Sequence, residues 1–81
     1  MIAEYSEGPA LSFERMSVIS LLRNSDPYLS KLSYKLMGND ILNVNDLKTL
    51  GSKGLKTRFN VHPKTIARVK KVFRRYGERF K

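Results

Sequence analysis

The clearest periodicity in the chain lies in its last third, where apolar residues recur three or four positions apart. At the ~100° per residue of a helix, six of them share one arc, and four cations form a stripe opposite: Ile66, Val69, Val72, Phe73, Tyr76 and Phe80 against Lys64, Arg68, Lys71 and Arg75. The pattern predicts a long amphipathic helix over residues 61–80 with Pro63 in its first turn. Gly77 marks a point where this helix is expected to fray or bend.

Four shorter helices are predicted before it. Helical spacing of apolar residues over 11–23 indicates the first. The second begins with Ser25 or Asp26 as its cap and Pro27 in the first helical position. Gly38 is predicted to end it in a left-handed conformation. A start signal and a stop signal therefore mark the two ends of the predicted second helix.

The third and fourth helices are predicted to be short and adjacent. "NVNDLKTLG" offers Asn43 or Asn45 as a cap and Gly51 as a stop. "SKGLKTRFN" follows as the fourth helix, weakened by Gly54 near its start. Three tyrosines and the four phenylalanines are predicted to be core residues rather than base-stacking platforms, because most of them fall on apolar helical positions: Tyr28, Tyr34, Tyr76, Phe13, Phe59, Phe73 and Phe80.

These elements define an all-α fold, a compact bundle of four to five short helices with a long basic C-terminal helix. A chain of 81 residues has room for one domain. Residues 1–10 mix Glu, Ser, Gly and Pro and are predicted to form a flexible N-terminal arm. Residues 11–81 are predicted to form the single helical domain.

The net charge of +9 is concentrated at one end of the chain. Five basic and six acidic residues precede Lys53, whereas eleven basic residues and one acidic residue follow from Lys53 onward. Such asymmetry favours a polyanionic partner, although a lysine-rich surface also serves solubility. The residues that are candidates for binding such a partner therefore lie in the last third of the chain.

Composition narrows the function classes. The sequence has no cysteine, a single histidine and no apolar run near the ~20 residues of a membrane span, and its start lacks a secretory pattern. Asp40 and Asp46 are better explained as helix caps than as an acid–base pair, and His62 has no second titratable partner nearby. The expectation is an intracellular binding domain, neither an enzyme nor a membrane protein, with no cofactor or metal.

The segment "LKTRFNVHPKTIARV" resembles a helix-turn-helix, the DNA-binding unit of many repressors, recombinases and transposases. The resemblance spans a unit of about 52–76. Lys56 departs from the pattern, because a small residue usually stands there and lets the two helices cross closely. Asn60 takes the left-handed turn position where Gly is usual. The positions that match buried ones are Leu55, Phe59, Val61, Ile66 and Val69.

This resemblance implies a nucleic-acid partner, with duplex DNA favoured and RNA also open, and leaves room for a protein partner or a homodimer. The recognition helix would start near His62. The residues that it places against base edges are His62, Lys64, Thr65 and Arg68. Phosphate contacts are predicted for Lys53, Lys56, Arg58, Lys70, Lys71, Arg74 and Arg75.

Residues 18–73 also resemble a sterile alpha motif domain, a five-helix interaction module. "NDLKTLG" is similar to the segment between its third and fourth helices, and "HPKTIARVKKVF" to its long last helix. Leu22 stands where that family often has Trp. This second resemblance implies a protein-interaction module or an RNA-hairpin-binding module with a basic last helix.

Overall fold

A computed structural model describes residues 13–81, so the predicted arm and the first residues of the predicted first helix lie outside the described range. The helical segments follow one another in this order: a 3-10 turn Phe13–Arg15, a π-helical segment Ile19–Arg23, a 3-10 turn Pro27–Leu29, and three α-helices, α1 Ser30–Met37, α2 Val44–Phe59 and α3 Pro63–Arg75. Residues 13–81 contain no strand, only an isolated bridge between Ser17 and Asn43. The predicted all-α class is confirmed.

The prediction of one continuous helix over 11–23 is wrong. The chain leaves helical geometry at Ser17, where it pairs with Asn43. The Val18 N–H donates to the Leu42 carbonyl at 2.9 Å, and the Val44 N–H donates to the Met16 carbonyl at 2.8 Å. These long-range bonds satisfy backbone groups that a helix would have paired locally, so two short segments replace one helix.

The second helix starts as predicted and ends differently. The Asp26 carboxylate accepts a hydrogen bond from the Tyr28 N–H at 3.1 Å, and Pro27 occupies the first helical position. Gly38 has φ −66°, so its predicted left-handed conformation is wrong. The left-handed residue is Asp40, with φ 67°. It turns the chain so that the Ile41 N–H donates to the Leu36 carbonyl at 2.9 Å.

The third and fourth predicted helices are the two parts of α2. Asn43 caps the first part in a capping box: its side-chain oxygen accepts from the Asp46 N–H at 2.9 Å, and the Asp46 carboxylate accepts from the Asn43 N–H at 3.4 Å. Gly51, with φ 71°, kinks the helix between residues 44–50 and 52–59. At Gly54 an added Cβ atom would clash with the side chain of Leu50. Because Gly54 has no side chain, it leaves room for the Leu50 side chain from the other side of the kink.

The last helix is shorter than predicted. It ends at Arg75, and Gly77 adopts φ 72°. The Gly77 N–H donates to the Arg74 carbonyl and the Glu78 N–H to the Phe73 carbonyl, both at 3.0 Å, which is a Schellman ending. The chain then reverses, so Phe80 enters the core from the returning tail rather than from the helix.

One core receives side chains from every longer helical segment. Fully buried residues include Leu21 and Leu22 from the π-helical segment, Leu36 from α1, Leu47 from α2 and Phe73 from α3. This packing holds α3 with one face inward and its basic face outward.

Candidate nucleic-acid interface

The turn between α2 and α3 has the conformation that the sequence predicts. Asn60 ends α2 with φ 54° and ψ 40°, which is left-handed. The Val61 N–H donates a hydrogen bond to the Leu55 carbonyl at 3.0 Å. The five positions expected inside are all buried: Leu55, Phe59, Val61, Ile66 and Val69. Any two helices sharing a core need such burial, so it fixes which faces point outward and does not by itself assign a function.

His62 serves as the N-cap of α3. Its Nδ1 accepts a hydrogen bond from the Lys64 N–H at 3.1 Å, and its carbonyl accepts from the N–H groups of Thr65 and Ile66. The imidazole is therefore turned toward the start of its own helix.

Thr65 and Lys64 occupy different surroundings. Thr65 is half-buried and borders a shallow hollow shared with Pro27, Tyr28 and Lys31. Lys64 is exposed. The 3-10 turn Pro27–Leu29 thus lies beside the start of α3. This proximity was not predicted from the sequence.

Arg68 is bound to a carboxylate 42 residues earlier in the chain. Its Nε donates to Oδ2 of Asp26 at 2.9 Å, and its Nη2 donates to Oδ1 at 3.0 Å. The guanidinium also lies over the Tyr28 ring, 4.3 Å from the ring centroid. The hydrogen bond from Arg68 holds the pKa of Asp26 below its usual value, and the same bond raises the pKa of Arg68.

Arg75 forms a hydrogen bond with the residue that precedes Asp26. Its Nη1 donates to the Ser25 carbonyl at 2.9 Å. The predicted cationic stripe is therefore split: Arg68 and Arg75 bind residues 25–26, whereas Lys64 and Lys71 are exposed and form no salt bridge within residues 13–81.

A second group of cations lies on the other side of α3. Lys53 and Lys56 from α2 and Lys70 from α3 line an open groove of about 390 Å³ whose apolar floor includes Pro63, Ile66 and Ala67. We call this feature the lysine groove. Lys56 is exposed, so the side chain that departs from the helix-turn-helix pattern borders the groove and does not wedge the helices apart.

Lys70 also connects the lysine groove to a neighbouring hollow bordered by Arg74, Arg79 and Glu78, which we call its extension. Glu78 is engaged elsewhere, 3.7 Å from Nζ of Lys48. Across the part of the chain that the structure describes, no carboxylate forms a salt bridge with the following cations: Lys53, Lys56, Lys70 and Arg74. This side of the domain therefore carries an excess of cations, with Glu78 at its border.

Arg58 does not join the other predicted phosphate contacts. It borders a hollow near Asp40 and Asp46, and its guanidinium lies 5.5 Å from the ring centroid of Phe59. The structure thus distributes the predicted contacts over three places: the lysine groove and its extension, the stripe, and the region of Arg58.

Two residues beside Arg68 were not predicted as site residues. Asp26 was interpreted only as a helix cap, and no sequence signal links it to Arg68. The prediction that the aromatic residues belong to the core is confirmed for three phenylalanines, since Phe59, Phe73 and Phe80 are buried. It is wrong for the tyrosines, since Tyr28 is 68% exposed, Tyr34 51% and Tyr76 43%. Tyr28 follows the cap within a surface 3-10 turn, where the inward position belongs to Leu29.

Comparisons with protein-family models, curated proteins and solved structures find no match for this chain. Among the described residues, no helix has the length and apolar character needed to cross a membrane. Within the same residues, no group of three or more His, Cys, Asp or Glu side chains is arranged to hold a metal ion.

Proposed function

We propose that this chain is a nucleic-acid-binding domain that contacts duplex DNA through α3 and residues 52–62. The lysine groove and its extension carry the proposal, because four cations from two helices share one surface and none of them forms a salt bridge among residues 13–81. A row of phosphates supplies that counter-charge and releases condensed ions on binding. The proposal gives the domain a binding role and no catalytic step.

The two sides of α3 have different tasks under this proposal. The N-terminal part of α3 approaches base edges, with His62, Lys64, Thr65 and Arg68 as the reading residues. Phosphates are contacted mainly from the lysine groove and its extension, with Lys71 beside them. Arg58 and Arg75 contribute at the edges, since one lies apart and the other is bonded to the Ser25 carbonyl.

The salt dependence of binding tests the proposal. Neutralising about five phosphates makes log affinity fall against log salt with a slope near −4 to −5. Fluorescence anisotropy with a labelled random-sequence duplex at four or five salt concentrations measures this slope. No binding at low salt contradicts the proposal.

A nitrogen-15 NMR titration with the same duplex locates the contact surface. The expected amide shifts lie in residues 52–75, around the lysine groove and the start of α3. Shifts confined to the π-helical segment and α1 contradict the proposal. A hydrolytic or transfer activity that is lost on mutating His62 or a single Asp or Ser contradicts the assignment of a binding role.

A sterile-alpha-like module is the second candidate. The kink at Gly51 supports it, because it produces the short third and fourth helices that this family's pattern requires. Binding to an RNA hairpin without affinity for duplex DNA favours this candidate. Concentration-dependent self-association in the absence of nucleic acid, measured by analytical ultracentrifugation, favours a protein-interaction role.

A further inference from the structure

The geometry points to Asp26, with Tyr28 beside it, as the positioning residue that makes Arg68 a guanine-reading group. This inference rests on the proposed function. It adds two residues outside the helix-turn-helix-like unit to the determinants of sequence specificity. It also predicts that guanine is the base that the domain prefers at the position contacted by Arg68.

The first argument is the inventory of donors on Arg68. A guanidinium carries five N–H donors in one plane. Asp26 takes one from Nε and one from Nη2, which form the side edge of the fork. The terminal edge, made by Nη1 and the second hydrogen of Nη2, forms no hydrogen bond within residues 13–81. Three donors remain, and two of them, one on each terminal nitrogen, are parallel, which is what O6 and N7 of guanine accept.

The second argument is rigidity. An arginine on a helix surface normally samples many rotamers, and ordering it on binding lowers affinity. Here the carboxylate fixes the side edge, and the Tyr28 ring covers a face of the plane at 4.3 Å. Asp26 is itself held by the Tyr28 N–H, and the proline that follows has a fixed φ. The support is therefore a short, restrained turn.

The exposures indicate which partner is presented outward. The Arg68 side chain is 46% exposed, whereas that of Asp26 is 16% exposed. A ligand approaching this pair therefore meets mainly the guanidinium. The carboxylate lies behind it.

The third argument is electrostatic. Asp26 offsets the charge of Arg68, so the pair adds little to the sequence-independent attraction of phosphates. The cations of the lysine groove supply that attraction without an acidic partner. Affinity and discrimination are thus assigned to different sides of α3.

A substitution of matched charge isolates the role of Asp26. Asp26→Asn keeps an oxygen that can accept the Tyr28 N–H, since Asn and Asp cap helices equally well, but it weakens the hold on Arg68. Asp40→Asn is the control: it also removes one negative charge, and Asn tolerates the φ of 67° at that position. Asp40 belongs to no salt bridge of the described residues.

The probe is a duplex selected from a random library by the wild-type protein. Its partner is the same duplex with each preferred guanine replaced by 7-deazaguanine, which lacks the N7 acceptor. The wild type and Asp40→Asn are expected to prefer the guanine duplex by roughly tenfold. Asp26→Asn is expected to lose at least about threefold of that preference while binding unrelated duplexes more tightly. Arg68→Ala is expected to show no preference.

A measurement without nucleic acid checks the ion pair itself. The Nε–H proton of Arg68 is expected to give a protected NMR signal in the wild type and in Asp40→Asn. In Asp26→Asn it is expected to exchange rapidly with water. Thermal melts within a few degrees of one another show that the variants are folded.

Several outcomes overturn the inference while leaving the proposed function standing. They are a selected site with no guanine preference, a preference in Asp26→Asn equal to that of the wild type, and a stronger preference in Asp26→Asn. The last outcome means that Asp26 masks Arg68 rather than positions it. A wild-type protein that binds no duplex at low salt overturns the proposed function, and the inference with it.

Discussion

The ring of Phe80 packs on the ring of Phe73, with their centroids 4.8 Å apart, because the chain reverses at Gly77 immediately after α3. Phe13 meets the other side of this cluster, edge-on to Phe73 at a centroid distance of 5.4 Å. The two ends of the described chain therefore close over the same core side chain. The turn at Gly77 has a structural role that a continuous helix would not provide.

Gly77→Ala is expected to lower the free energy of unfolding by about 1 kcal/mol, because an alanine disfavours a φ of 72°. No atom lies within 4 Å of the added Cβ, so the backbone conformation is the cause. Gly38→Ala is the control. Gly38 has φ −66°, and there alanine is expected to be neutral or slightly stabilising. Urea denaturation of both variants measures the difference, and equal effects would contradict the account of this turn.

The stability of the domain is expected to fall in acid partly through Asp26. The hydrogen bond from Arg68 lowers the folded-state pKa of Asp26 below its unfolded value. A depressed folded pKa gives stability that is present above about pH 5 and lost as the pH falls through about 4 and below. Urea unfolding of the wild type and Arg68→Ala over that range measures the effect.

Arg68→Ala is expected to be less stable than the wild type near neutral pH, with the gap closing as Asp26 is protonated. Glu14 titrates in the same direction through its bond to Lys48 and is intact in both proteins, so it does not contribute to the gap. A gap that is constant with pH would show that the ion pair contributes no proton-linked stability.

Ile66→Ala is expected to lower the free energy of unfolding by about 2–5 kcal/mol, because Ile66 is only 8% exposed and its truncation leaves a cavity. Ile66→Val removes a single methylene and is expected to cost about 0.5–1.5 kcal/mol. Denaturant titrations monitored by circular dichroism compare the two. A small effect of both substitutions would contradict the packing of α3 on the core.

Lys70→Ala is expected to weaken binding to every duplex and to make the salt slope less steep by about 0.9, because one phosphate contact is lost. Arg23→Ala also removes one positive charge, but from outside the basic third of the chain, and is expected to leave the slope unchanged. Anisotropy over a salt series measures both. Equal slopes for the two variants would remove the lysine groove from the interface.

Arg68→Ala is expected to lower affinity for the selected duplex much more than affinity for unrelated sequences, since a bidentate contact to guanine discriminates by about 1–3 kcal/mol. Arg74→Ala is expected to lower both affinities alike. Arg74 is a better control than Arg75, because Arg75 is bonded to the Ser25 carbonyl. If the two variants weaken binding equally on all sequences, α3 does not read bases.

The sequence by itself determined the features whose causes act over a few residues. Asn43 and Asp46 form their capping box across three positions, and Pro27 starts its turn next to Asp26. Gly51 and Asn60 take the positive φ values expected of Gly and Asn at such breaks. Periodicity also identified the inward positions of α3 as far as its end at Arg75. These signals are local, so the residue types at fixed spacing are sufficient.

Only the tertiary structure decided the features that join distant segments. The bridge of Ser17 with Asn43 divided the first predicted helix. Arg68 forms an ion pair with Asp26, which precedes it by 42 residues in the chain. Phe80 left the helical pattern because packing on Phe73 and the ending at Gly77 outweighed its helical periodicity. In each case a backbone or charged group gains a partner that lies nearby in space and far away in sequence. Such pairings depend on how whole faces pack, which residue spacing does not encode.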